Sequence, residues 1–249
     1  MLNIKAVAAY DGTRYFGWQK TRMGPSIEGQ LQDVLEQITG QKIVLQAASR
    51  TDAGVHAEGQ VVNFFLENEA ADLSKLLISL NQLLPGDISV MELGRAKADF
   101  HPTLDAVGKE YHYTFSVGPV QYPRHRLYAW HYPYPLNLKD MAEAGRRLEG
   151  EHDFSSFCNV KKNDKEVNFV RTLSAIEIKE MKEKRLRIII RGNRFLYRMA
   201  RNIAGTLACV GRGKISPSDI PKLLKQRDRT DAGVTAPAHG LTLHKVYFK

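Results

Sequence analysis

The 249 residues are 43% hydrophobic and 25% charged, with a net charge of +9: an ordinary globular composition, long enough for one large domain or two smaller ones. The opening MLNIKAVAAYDG lacks the apolar run of a signal peptide, and no stretch approaches the roughly 20 apolar residues of a membrane span. Cys158 and Cys209 form no CxxC and have no ligand-spaced histidines beside them, which argues against a disulfide framework or zinc site and for a reducing cytoplasm.

In chain order, residues 2–10 read as a strand ended by the turn Asp11-Gly12. Ser26 is a candidate N-cap for a helix with Ile27, Leu31, Val34, Leu35 and Ile38 on one face, stopped by Gly40. A second strand is expected from Ile43–Leu45 and a third over 60–66. Asp72 then caps a helix with Leu73, Leu76, Leu77 and Leu80 inward, and Pro85-Gly86 turns the chain into a strand over 88–93. The order β-α-β-β-α-β is the ferredoxin-like pattern.

Beyond residue 104 a strand is expected over 107–116, with Tyr111, Tyr113 and Phe115 on one side. An exposed loop over 121–136 and a helix near 138–149 follow, then a hairpin near 172–180 and 185–191. A long helix is placed at about 195–210, with Phe195, Met199, Ile203, Leu207 and Val210 inward. Ser216-Pro217 opens another helix, and 241–248 closes with a strand. Two related α/β halves, 1–104 and 105–249, are therefore expected to pack around a central cleft.

Charge divides along the same line. Residues 1–104 hold nine Lys/Arg against twelve Asp/Glu, and residues 105–249 hold 27 against 15. Ten basic residues and one acid fall within 182–214 alone. A positive excess so concentrated favours a polyanionic partner, because each neutralised phosphate releases counterions.

The hexapeptide RTDAGV occurs twice, at 50–55 and 229–234. The first copy lies between two strands, where Arg50 next to Asp52 would orient and ionise a carboxylate suited to act as nucleophile or general base. Gly54 there allows a sharp turn and close approach of a substrate. The second copy follows a helix, and Asp231-Ala-Gly is accounted for as a turn before the last strand. Spacing leans toward Asp52 without deciding between them.

SRTDAGVHAEGQVVNF (49–64) resembles the signature of the tRNA pseudouridine synthase A family. The likeness continues through AAYDGTRYFGWQ (8–19), LNQLLPGDISV (80–90), FHPTLDAVGKEYHY (100–113), NRFLYRMARNIAGTLACVGRGK (193–214) and TAPAHGL (235–241). It implies an α+β pseudouridine synthase fold of two ferredoxin-like (RRM-like) halves. It also implies isomerisation of uridine at positions 38, 39 and 40 of the tRNA anticodon stem-loop, by a homodimer that needs no cofactor and no metal. Asp52 inherits the nucleophile's role, and both attack at C1′ and prior abstraction of H2′ remain open to it. Tyr111 corresponds to the family's active-site tyrosine, which stacks on uracil. Arg201, of the pair Arg201-Asn202, is the expected site arginine, Leu241 lines the base pocket, and His101 touches the substrate backbone.

Arg194, Arg198 and Arg201, spaced i, i+4, i+7, would supply phosphate contacts from one helix face, helping to offset the cost of flipping a stacked uridine. Where the family often carries an arginine that assists flipping, two residues after His101, Thr103 stands here, so Arg50 would carry more of that work. His56 is assigned a structural duty. Two other readings compete: a non-catalytic RNA-binding module, which would not require Asp52, and a glycoside hydrolase, which would want a second partnered carboxylate.

Overall fold

The computed structural model describes residues 1–68, 70–159 and 167–249. The chain begins β1 (Leu2–Tyr10), α1 (Ile27–Thr39), β2 (Gln46–Ala47), β3 (His56–Leu66), α2 (Leu73–Leu83) and β4 (Ile88–Arg95). It continues β5 (Ala106–Val117), β6 (Trp130–Tyr132), α3 (Leu138–Leu148), β7 (Gly150–Asp153), β8 (Val170–Met181) and β9 (Arg185–Gly192). It ends α4 (Met199–Gly211), α5 (Ile220–Gln226) and β10 (Leu241–Phe248).

The capping signals act as the sequence implies. Ser26 Oγ accepts from Gly29 N at 3.2 Å, and Gly40 ends α1 at φ +68°. Asp72 Oδ1 accepts from the amides of Ser74 and Lys75, both at 3.1 Å, at the start of α2. Ser216 and Asp219 form a capping box with Pro217 in the first turn. Each satisfied cap is worth about 1 kcal/mol.

The chain divides into two compact units, Met1–Val107 with Thr242–Lys249, and Gly108–Leu241. In the first, β4 pairs with β1, β1 with β3 and β3 with β2, all antiparallel, which is the ferredoxin-like strand order. Ile4, Ala6, Ala8 and Tyr10 alternate inward from β1, and Leu31, Leu35, Leu76 and Leu80 are buried from the two helices. A cut of the chain at residue 104 would leave β10 with the basic half. Here Thr242 and Leu243 pair in parallel with His56 and Ala57 of β3, so Thr242–Lys249 joins the first unit.

In the second unit β5, β9, β8 and β7 pair antiparallel in that order. Tyr113 and Phe115 of β5, Ile188 and Ile190 of β9, Met141 and Leu148 of α3, and Met199, Ile203 and Leu207 of α4 are buried. Each such side chain contributes about 1.5–3 kcal/mol of transfer free energy.

Three sequence expectations are corrected. Ile43 and Leu45 are buried but not in a strand, and only Gln46 and Ala47 ladder with β3. The segment 121–136 is not all loop: Trp130, His131 and Tyr132 pair in parallel with Phe115, Ser116 and Val117. The long helix begins at Met199, not 195, because Arg198 sits in the left-handed region at φ 59°, ψ 8° and interrupts the helix upstream. Phe195, whose i, i+4 spacing to Met199 suggested the earlier start, packs edge-on against Tyr111 instead. Consequently Arg194, Arg198 and Arg201 do not share a helix face.

Candidate active site

In the first unit, Asp52 lies on the connection between β2 and β3, and the backbone around it is fastened at four points. Gln60, fully buried in β3, grips Ser49: its Oε1 accepts from Ser49 N at 3.2 Å and its Nε2 donates to Ser49 O at 2.6 Å. Thr51 Oγ1 shares a hydrogen bond of 2.8 Å with Tyr10 OH, and Thr51 O accepts from Trp18 N at 3.0 Å. Gly54 N donates to Tyr15 O at 3.3 Å, and Val55 N returns to Asp52 O at 3.1 Å. Ser49, Thr51 and Val55 are buried, whereas Asp52 itself is partly exposed. A loop whose flanking residues are buried and bonded presents the one carboxylate between them with little conformational freedom.

The 11–18 segment that supplies these partners is itself held. Tyr15 OH donates to Asp87 Oδ1 at 2.5 Å, and Arg14 Nε donates to Asp87 Oδ2 at 2.7 Å. Burial and the bond to Asp87 push the Tyr15 phenol up to about 12. Buried His56 takes its structural part here: its Nδ1 lies 3.1 Å from Gly12 N and 3.1 Å from Asp11 Oδ1.

Arg50 departs from expectation. It is exposed, and among the described residues it makes no ion pair with Asp52. The loop places Arg50 outward while Thr51 turns into the core. Thr103, in the place of the family's arginine, donates from Oγ1 to Ala47 O at 2.7 Å and fastens the start of the same loop. His101 belongs to a turn: its Nδ1 accepts from Thr103 N at 3.1 Å and its own N–H donates to Asp105 Oδ2 at 2.8 Å.

In the second unit, Tyr111 of β5 is buried, with its ring 4.8 Å from that of Phe195 at 70°. Tyr113, two residues on, donates its hydroxyl to Pro237 O at 2.9 Å, and burial raises its pKa well above the ordinary phenol value. It is a packing residue, as its place on the strand implies. Arg201 stands in the first turn of α4. Its Nε donates to Ala236 O at 2.8 Å while its carbonyl accepts from Ala236 N at 3.2 Å, which fixes the guanidinium plane against the TAPAHGL segment. Its neighbour Asn202 is fully buried and donates to Phe157 O at 2.8 Å and Asn159 Oδ1 at 2.9 Å. Leu241, at the start of β10, is buried.

Sequence reasoning missed the fasteners Gln60, Tyr10 and Trp18. Gln60 carried a signal: it is a polar side chain at the head of the apolar run VVNFFL, and a polar residue buried there must find partners. Tyr10 and Trp18 read as ordinary core.

Residues 6–103 and 144–249 match a family model described as tRNA pseudouridine synthase. With the ferredoxin-like strand order and the clamped aspartate loop, this places the chain in the tRNA pseudouridine synthase family. It is 52% identical over 248 residues to tRNA pseudouridine synthase A 2 of Protochlamydia amoebophila (strain UWE25), covering 100% of this chain and 95% of the relative. It is 40% identical over 248 residues to tRNA pseudouridine synthase A of Thermoanaerobacter sp. (strain X514), covering all of both chains. A third relative, tRNA pseudouridine synthase A of Chlamydia muridarum (strain MoPn / Nigg), is 40% identical over 96% of this chain and 90% of its own. The protein is an isomerase of uridine in tRNA. Among the described residues no helix is long and apolar enough to cross a membrane.

Proposed function

We propose that this isomerase acts at positions 38, 39 and 40 of the anticodon stem-loop, as a homodimer in the cytoplasm, with Asp52 as the nucleophile. The N1–C1′ glycosidic bond breaks, the detached uracil turns, C5 bonds to C1′, and the C5 proton is exchanged for one on N1. Atoms and electrons balance within the nucleotide, so the reaction calls for no external oxidant or group donor. The observation that carries the reading is the fastening of the loop on both sides of Asp52, by Gln60, Tyr10 and Trp18 before it and by Tyr15 after it. It holds one carboxylate at a fixed place, which a displacement at ribose requires.

Tyr111 stacks on the detached uracil, Leu241 lines the base pocket, and Arg201 offers a guanidinium whose plane is set by Ala236. Arg50, exposed, and His101, in the neighbouring turn, meet the RNA backbone. The test is release of tritium from C5-labelled uridine in tRNA, with stem-loops that carry the label at a single one of the three positions. Asp52→Ala is expected to abolish release while tRNA binding stays within about threefold of the parent, because a nucleophile acts mainly after binding. Asp231→Ala is expected to turn over normally. Turnover by the Asp52 variant, or release from none of the three positions, would overturn the reading.

A further inference from the structure

The end of the second unit's sheet carries a group of cations that the mechanism has not used. Strand register sets Lys109 opposite Gly192 on β9, and Leu173 of β8 opposite the same glycine. The middle of this three-strand row therefore has no side chain. Arg171 lies two residues before Leu173, and Arg194 two residues after Gly192. Asn193 ties these ends together: its N–H donates to Thr172 O at 3.0 Å, and its Oδ1 accepts from Thr172 N at 3.1 Å and from Arg194 N at 2.6 Å.

The group borders Tyr111. Lys109 precedes it by two on the same strand, so both project from one face. Phe195, next after Arg194, packs edge-on against the Tyr111 ring.

Several basic side chains elsewhere in this unit are matched with acids. Arg191 bonds Glu110 and Glu177, Arg147 bonds Glu143 and Arg227 bonds Asp153. Lys109, Arg171 and Arg194 have no acidic partner among the described residues. Arg171 donates Nη1 to Val170 O, and its Nε is buried without a hydrogen-bond partner. Burial, and after it the charge of Arg194, brings the Lys109 ammonium down to about 8 and lowers Arg171 as well. Two partly desolvated cations beside the exposed Arg194 are costly until an anion lies among them.

We infer that Lys109, Arg171 and Arg194 seat one phosphodiester group of the bound RNA, a linkage close to the nucleotide whose base meets Tyr111. This rests on the reading of Tyr111 given above. An RNA phosphate fits better than a mononucleotide, because the established substrate is tRNA and the seat borders a base-stacking ring.

The experiment measures binding, in the Asp52→Ala background, of an RNA stem-loop bearing one methylphosphonate linkage, stepped through the linkages around the target uridine. With the three cations intact, affinity is expected to fall on the order of tenfold at one linkage only. Lys109→Gln and Arg194→Gln are each expected to weaken the unmodified stem-loop on the order of five- to tenfold and to lose the sensitivity to that linkage. Lys109→Arg is expected to retain both affinity and sensitivity, and unchanged thermal midpoints show that the variants fold. The seat is refuted if no single linkage stands out, or if the methylphosphonate loss is the same in the Gln variants as in the parent. Because turnover is not measured, this failure is separate from failure of the Asp52 assignment, which the tritium assay reads.

Discussion

Two identical hexapeptides, Arg-Thr-Asp-Ala-Gly-Val, have opposite insides and outsides in this molecule. In the first, Thr51 and Val55 are buried and bonded to the core while Arg50 is exposed. In the second, Arg229 turns inward, donating from Nη1 to Gly233 O at 2.8 Å and from Nη2 to Asn202 Oδ1 and Thr235 Oγ1, both at 2.9 Å. There Thr230, Asp231 and Val234 are exposed. The six residues carry the same chemistry in both places, and their neighbours decide which of it is used. Between strands, with Tyr10 and Gln60 beneath, the threonine becomes the anchor and the aspartate is presented. After a helix, with the carbonyls and amide of a loop to gather, the five N–H donors of arginine become the anchor, and the aspartate is left as a turn residue.

The sharpest way to break this comparison is to remove both arginines. Arg229→Ala removes the guanidinium that ties Gly233 O, Asn202 Oδ1 and Thr235 Oγ1 together inside a half-buried network and should lower the unfolding free energy by about 3 kcal/mol. Arg50→Ala should change stability by less than about 0.5 kcal/mol, as exposed side chains without partners do, and should instead weaken turnover on tRNA. Urea denaturation followed by tritium release separates the two. Equal destabilisation by both substitutions would mean that the hexapeptides hold their surroundings in the same way.

The glycines give a smaller contrast. A Cβ on Gly233 would lie 2.6 Å from Thr206 Cα and 2.9 Å from Gly205 O, against the backbone of α4, so neither neighbour can yield cheaply. Gly233→Ala should cost about 2 kcal/mol by overpacking. Gly54 is needed for its conformation, at φ +77°, and Gly54→Ala should cost about 1 kcal/mol. The ranking reverses for catalysis. The Gly54 variant should lose turnover at temperatures where it is fully folded, because the strain falls two residues from Asp52, whereas the Gly233 variant should turn over normally until it melts.

Much of the fold was legible because it is written locally. Caps at Ser26, Asp72 and Ser216 and the alternation in β1 and β5 need only neighbours in sequence to act. What failed was decided at long range. Helix α4 starts late because Arg198 takes a left-handed backbone and Phe195 is drawn to Tyr111, 84 positions earlier in the chain, and no periodicity reports that. β6 was hidden in a segment rich in Pro, Tyr and His, where only its partner β5 makes it a strand. At the site, the choice of Asp52 over Asp231 came from resemblance across several ordered motifs. The grip of Gln60 on Ser49 across eleven positions, which fastens the loop that carries Asp52, becomes visible only with the fold.

The two threonines supply the finest test. Thr230 Oγ1 donates to Asp228 Oδ1 at 2.7 Å on the surface, where water offers an equal partner, so Thr230→Val should be neutral within about 0.5 kcal/mol. Thr51→Val removes a buried partner of Tyr10 OH, and the contact from Gln60 Nε2 is long at 3.5 Å. It should cost about 1 kcal/mol and lower kcat several-fold with KM for tRNA unchanged, since the loop would be looser without any RNA contact being lost. Tyr10→Phe removes the same bond from its other end. If the bond acts by positioning Asp52, the double variant should be no worse in kcat than either single one, and Thr51→Ser, which keeps the hydroxyl, should restore the rate. Additive losses, or a Thr51→Ser variant as slow as Thr51→Val, would mean that the threonine serves packing alone and that the two hexapeptides differ less than their burial suggests.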